Sequence, residues 1–130
     1  HRDPRTAMAS MCSLAAHATD GWSQVFTGKV IGRDQLELWS RGLALFRAER
    51  AKHDPARFFD VRYEDFTGDP LGTVEAIYAH FGLPFTGQAR AAMARLLEES
   101  RTGAARPAHR YDLADFGLTG EEVTERFAGL

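Results

Sequence analysis

A chain of 130 residues is one modest domain or part of one, long enough to build a core. Its 44% hydrophobic and 26% charged residues exclude a disordered chain. A formal net charge of −2 argues against a nucleic-acid binder, and no apolar run nears the roughly 20 residues of a membrane helix.

One cysteine, Cys12, excludes an internal disulfide framework and an all-cysteine zinc site, and fits a reducing, cytoplasmic compartment. The chain opens at His1 with no initiator methionine and no signal-like stretch, as expected of a cut or processed piece. Lys29 and Lys52 are its only lysines; the other basic residues are arginines, whose planar fork suits phosphate and sulfate oxygens.

In chain order, Asp3-Pro4 is an N-cap followed by a proline tolerated at the first helical position. It predicts a helix from about Pro4 to His17, with Met8, Met11, Cys12 and Ala15 on one stripe. Residues 19–32, with Gly21, Gly28 and Gly32, read as a loop, and Trp22 and Phe26 within it are expected to offer apolar walls to a ligand. From Asp34 the spacing of Leu36, Trp39, Leu43 and Phe46 predicts a long amphipathic helix, ending before Asp54-Pro55.

Residues 57–66, RFFDVRYEDF, are short, aromatic and alternating, and predict a strand. Asp69-Pro70 restarts a helix with Val74, Ile77, Tyr78 and Phe81 on its stripe and Gly82 as its stop. A helix from about Gly87 to Ser100 and a basic loop from Arg101 to Tyr111 follow. Thr119 and Glu122 form a capping box, with Leu118 and Val123 as its hydrophobic staple, and open a last helix toward Leu130. One internal strand cannot make a sheet. It must pair with chain outside this sequence or with residues preceding His1, so residues 1–130 are expected to be a single partial domain.

Two triplets mislead. His1-Arg2-Asp3 and Asp115-Phe116-Gly117 spell protein-kinase motifs, but a kinase catalytic loop needs an Asn where this chain has Met8, and more than a hundred residues separate the two. A better reading of the N-terminus is an anion site. Arg2 lies at a strand end just before a helix start, and Ser10 lies eight residues on. A guanidinium can grip a phosphate with two bonds while the hydroxyl adds a neutral one. His17, His53, His80 and His109 show no metal-ligand spacing; His109 stands out only for its place in the basic loop.

HRDPRTAMASMCSL, VRYEDFTGDPLGTVEAIYAHFGLP and HRYDLADFGLTGEEV, in this order, resemble the C-terminal half of bacterial-type sulfotransferases that use 3′-phosphoadenosine 5′-phosphosulfate (PAPS). The resemblance implies an α/β fold class. This chain would be the C-terminal, mostly helical portion of a three-layer P-loop-type parallel-sheet domain. It implies that Arg2 and Ser10 bind the cofactor 3′-phosphate and that Tyr63 lies near the adenine or 3′-phosphate. Arg101, Gly103 and Arg106 are further cofactor candidates by position, although the family's clearer Arg-Gly-Lys-like pattern is absent there. Glu64 and Asp65 read as turn and capping groups.

No Gly-x-x-x-x-Gly-Lys-Ser/Thr loop occurs in the chain, and the family's catalytic base is expected upstream of His1. The segment alone is therefore expected to be inactive. Its expected partners are a small-molecule or glycan acceptor and either the missing N-terminal half or a second copy. From the residues alone two other readings stay open: a small non-enzymatic helical domain that binds a partner or anionic ligand, and a nucleotide-kinase fragment. Partners for the strand at 57–66 would separate a fragment from a self-sufficient domain.

Overall fold

A computed structural model describes residues 1–22, 24–102 and 111–129, with the backbone alone for Arg101 and Thr102. Its helices are α1 (Pro4–Thr19), α2 (Gly28–Arg50), α3 (Tyr63–Gly68), α4 (Pro70–His80), α5 (Gly87–Thr102) and α6 (Gly120–Phe127). Two 3₁₀ turns, Pro55–Arg57 and Leu113–Phe116, lie between them. The described residues fall into two compact units: residues 2–53 with 111–129, and His1 with residues 54–102.

The first unit owns the buried core. Met8 and Cys12 of α1, Ile31 and Leu36 of α2, Phe116 and Leu118 around the second 3₁₀ turn, and Val123 of α6 bury together. Burial pushes the Cys12 thiol up, as expected of an inert core cysteine. Asp3 caps α1 as its sequence predicts: its Oδ1 accepts from the Arg5 amide at 2.9 Å.

Helix α2 begins at Gly28, not at Asp34, so the expected loop over 19–32 is shorter than predicted. Packing decides this, since Ile31 and Gly32 are buried against the rest of the core. A Cβ on Gly32 would stand 2.1 Å from the Phe116 carbonyl oxygen, so only glycine lets α2 approach that turn. The apolar stripe of α2 is buried at Leu36, but Trp39 is 44% and Phe46 52% exposed.

The last helix is held by its cap and staple, with Leu118 and Val123 both in the core. Thr119 accepts from the Glu122 amide at 3.1 Å. The expected reciprocal bond is replaced: Glu122 turns to Arg33 of α2. A reciprocal box forms instead between Asp112 and Asp115, around the 3₁₀ turn. Helix α6 ends at Phe127, short of Leu130.

The second unit corrects the expected strand over 57–66, and with it the only strand that the α/β expectation had within this chain. Among the described residues no strand is formed. Pro55–Arg57 is a 3₁₀ turn capped by Asp54, residues 58–62 lie outside any helix with Phe58 and Arg62 extended, and α3 already starts at Tyr63. An extended backbone becomes a strand only when a neighbour takes its N–H and C=O groups. Here His1 does so: its amine donates to the Val61 carbonyl, and the Tyr63 amide donates to the His1 carbonyl at 2.7 Å. Bonds to residues 61 and 63, flanking Arg62, are the arrangement of neighbours that run parallel.

Helix α4 starts at Asp69-Pro70 as predicted, and the Asp69 carboxylate accepts from the Gly72 amide at 2.9 Å. It stops at Gly82, whose φ of +63° suits glycine. Tyr78 meets Phe85 edge-on at 5.1 Å, and His80 packs on Phe59 and donates from Nε2 to the Ala56 carbonyl at 3.0 Å.

Candidate functional site

The candidate anion site is built on the start of α1. Arg2 is exposed and directly precedes the Asp3 cap; Ser10 is half-buried on the same helix, about 9 Å along its axis from Pro4. The two share one compact unit, Arg2 ahead of α1 and Ser10 nearly two turns along it.

The helix end itself offers an anion little. Pro4 has no N–H, the Arg5 amide is taken by Asp3, and the Ala7 amide bonds the Asp3 carbonyl at 3.0 Å. The Asp3 carboxylate also brings a negative charge to that end. Arg5 answers it, its Nη2 donating to Asp3 Oδ2 at 2.8 Å and its Nε to both carboxylate oxygens at 3.2 Å. Those hydrogen bonds hold the Asp3 carboxyl below its ordinary range. Beside that compensated cap stand the exposed Arg2 and the half-buried Ser10. Their chemistry fits a phosphate: a guanidinium for two charge-assisted bonds and a hydroxyl for a third.

Tyr63 belongs to the other unit and is the first residue of α3, with 44% of it exposed. Glu64 and Asp65 are exposed in the same first turn, where the helix dipole favours carboxylates. That agrees with their reading as capping groups, although the helix they serve is α3 and not α4. A groove of about 580 Å³ runs between residues 59–62 and α4, with Asp60, Glu64, Asp65 and Asp69 on its walls. Four carboxylates against the one guanidinium of Arg62 make it a poor seat for a polyanionic nucleotide.

Arg101 lies in the last turn of α5, and its side chain is outside the description; Gly103, Arg106 and His109 lie outside the described residues. A cavity of about 300 Å³ opens where α1 ends and α2 begins, lined by Ala16, His17, Asp20, Phe26 and Ile31. Of the two aromatics expected to wall a pocket, Phe26 lines it, whereas Trp22 is 87% exposed and does not. Among the described residues no group of His, Cys, Asp and Glu could hold a metal ion.

Sequence reasoning missed one arrangement. The His1 ring Nε2 lies 2.9 Å from Asp60 Oδ1, beside the two backbone bonds His1 makes to residues 61 and 63. The alternation in 57–66 could have flagged Asp60 as polar-facing, but nothing local names its partner 59 positions away.

With this geometry in place, comparison with known proteins is informative. A model of the sulfotransferase family matches residues 1–87. The crystal structure of sulfotransferase STF1 from Mycobacterium tuberculosis H37Rv superposes with a TM-score of 0.84 and 54% identity, covering 100% of this chain and 32% of that one. Sulfotransferase STF9 from Mycobacterium avium superposes with a TM-score of 0.81 and 25% identity, covering 98% of this chain and 33% of its own. The omega-hydroxy-beta-dihydromenaquinone-9 sulfotransferase Stf3 of Mycobacterium bovis is 53% identical over 30 residues, 23% of this chain and 8% of that protein. The chain spans about a third of the length of the two solved structures.

Proposed function

Because this chain belongs to the sulfotransferase family, we propose that it is the nucleotide-holding part of an enzyme that moves a sulfuryl group from PAPS to an acceptor hydroxyl or amine. The observation that carries the reading is Arg2 placed ahead of an Asp-capped helix that bears Ser10, inside the span the family model matches.

When bound, PAPS supplies the activated sulfuryl group. The residues of this chain bind and orient its nucleotide. Arg2 grips the 3′-phosphate through its planar fork, and Ser10 adds a hydroxyl bond. Tyr63 offers a ring for the adenine and a phenol as donor. Arg101, Gly103 and Arg106 bring further donors to the nucleotide. Transfer of this kind asks the protein mainly for positioning and for stabilising spread negative charge. The phosphosulfate loop and the catalytic base belong to the rest of the enzyme, so this segment alone binds but does not catalyse.

The same reading restores the α/β expectation at the level of the whole enzyme. Residues 58–62 are one strand of a parallel sheet, and the chain that ends at His1 is its neighbour, as the bonds of His1 to residues 61 and 63 support. Residues 1–130 are then part of one three-layer domain. A hydroxyl acceptor is in keeping with the omega-hydroxy compound in the name of the Stf3 relative.

Calorimetric titration of 3′-phosphoadenosine 5′-phosphate (PAP) into this chain tests the reading, with Arg2→Ala as the control. Saturable binding that the substitution weakens by about tenfold or more is expected. A folded chain that takes up no PAP, or binds it equally without Arg2, overturns it in favour of a non-enzymatic helical domain.

A further inference from the structure

We propose that Asp60 is a positioning residue for the phosphate-gripping arginine, acting through His1; the inference rests on the nucleotide reading above. Three bonds tie His1 to three residues within one four-residue stretch, 60–63. Its ring meets Asp60, its amine donates to the Val61 carbonyl, and its carbonyl accepts from the Tyr63 amide.

The last bond matters most for Arg2. The His1 carbonyl and the Arg2 nitrogen belong to one peptide group, and a peptide group is planar. Fixing that carbonyl therefore fixes the plane from which the Arg2 backbone departs. A two-pronged grip on phosphate depends on angle as well as distance, so the direction in which the arginine leaves the backbone affects affinity.

Two backbone bonds alone leave His1 free to rock about the line that joins them. The Asp60 carboxylate, 2.9 Å from Nε2, is a third anchor off that line. The ring must then carry its proton on Nε2 whenever it is neutral, because a carboxylate can only accept. Asp60 touches neither nucleotide nor acceptor in this scheme; it works by holding His1.

The pair is solvent-exposed, with 70% of the His1 side chain and 49% of that of Asp60 accessible, so its contribution is modest. An exposed pair of this kind corresponds to a change of about two- to fivefold in affinity.

The test is PAP titration of the whole chain and a set of variants. Asp60→Ala should raise the Kd about two- to fivefold. Asp60→Asn should restore it, because the carboxamide oxygen still accepts from Nε2. His1→Ala, which keeps both backbone bonds, should match Asp60→Ala. Added to Arg2→Ala, the Asp60→Ala change should cost nothing more, since a residue that acts through Arg2 has nothing left to act on.

Equal loss in both backgrounds, no loss at all, or failure of Asp60→Asn to restore binding overturns the inference. No saturable PAP binding to the unsubstituted chain overturns the nucleotide reading as well. Binding indifferent to Asp60 but dependent on Arg2 overturns this inference alone.

Discussion

The backbone amide of Tyr63 donates to the carbonyl of His1 at 2.7 Å. That bond joins the first residue of the chain to the first residue of α3.

The first prediction ranks the nucleotide residues. Charge-assisted hydrogen bonds are worth roughly twice neutral ones. Arg2→Ala should therefore weaken PAP binding by about tenfold or more, and Ser10→Ala by about threefold. Arg2→Lys should recover only part of the loss, because an ammonium lacks the planar fork. Calorimetry on the three variants reads the order directly; a Ser10 effect larger than that of Arg2 would contradict it.

A second prediction concerns acid. The Arg5 hydrogen bonds lower the Asp3 carboxyl from its usual value of about 3.9. A group with a depressed folded-state value stabilises the fold above its unfolded value, and that stability is lost as pH falls through the folded one. Asp3→Asn keeps a capping oxygen but not the charge. The gap in stability between the unsubstituted chain and Asp3→Asn should be full at pH 7 and close below about pH 4. Urea unfolding at several pH values checks this, and a gap independent of pH would refute it.

Gly32 supplies a third. An added Cβ meets the Phe116 backbone at 2.1 Å, and backbone cannot swing aside as a side chain can. Gly32→Ala should cost about 2–3 kcal/mol by overpacking. Gly42, on the same helix with nothing within 4 Å, is the control: Gly42→Ala should stabilise by about 0.5–1 kcal/mol. Chemical unfolding followed by circular dichroism measures both signs.

The fourth prediction concerns how α6 is fastened to α2. Arg33 pairs with Glu122 and Glu37 with Arg126, four residues apart on each helix and with the charges reversed. Arg126 Nε also donates to the buried Ser40 hydroxyl at 3.0 Å. Arg126→Ala should cost about 1 kcal/mol, mostly through the Ser40 bond, since the ion pair is exposed. A double-mutant cycle between Arg126 and Glu37 should give a coupling of about 0.5 kcal/mol that shrinks in 1 M salt. Coupling unchanged by salt would mean that the contact is not chiefly ionic.

Helix ends were legible in the sequence because they are decided within a few residues. Asp3-Pro4, Asp69-Pro70 and Thr119 each cap a helix through a side chain that reaches an amide two or three positions on. The stop at Gly82 is equally local. Met8 and Cys12 were legible as core by their helical spacing, and Leu118 and Val123 by their places as the staple around the Thr119 cap. Arg2 and Ser10 are proposed as a pair on their spacing ahead of and along α1, and Tyr63 on its match to the family's RYEDF stretch.

What tertiary structure decided were the matters that need a distant partner. The start of α2 at Gly28 depends on Gly32 fitting under the Phe116 carbonyl, a contact no local pattern records. Glu122 abandons its capping bond because Arg33 stands opposite. The pairing of His1 with Asp60 joins residues 59 positions apart. Residues 58–62 have the composition of a strand, yet composition sets only the extended backbone. Whether extended backbone becomes sheet depends on who takes its hydrogen bonds, and here His1, far away in sequence, takes those at Val61 and Tyr63.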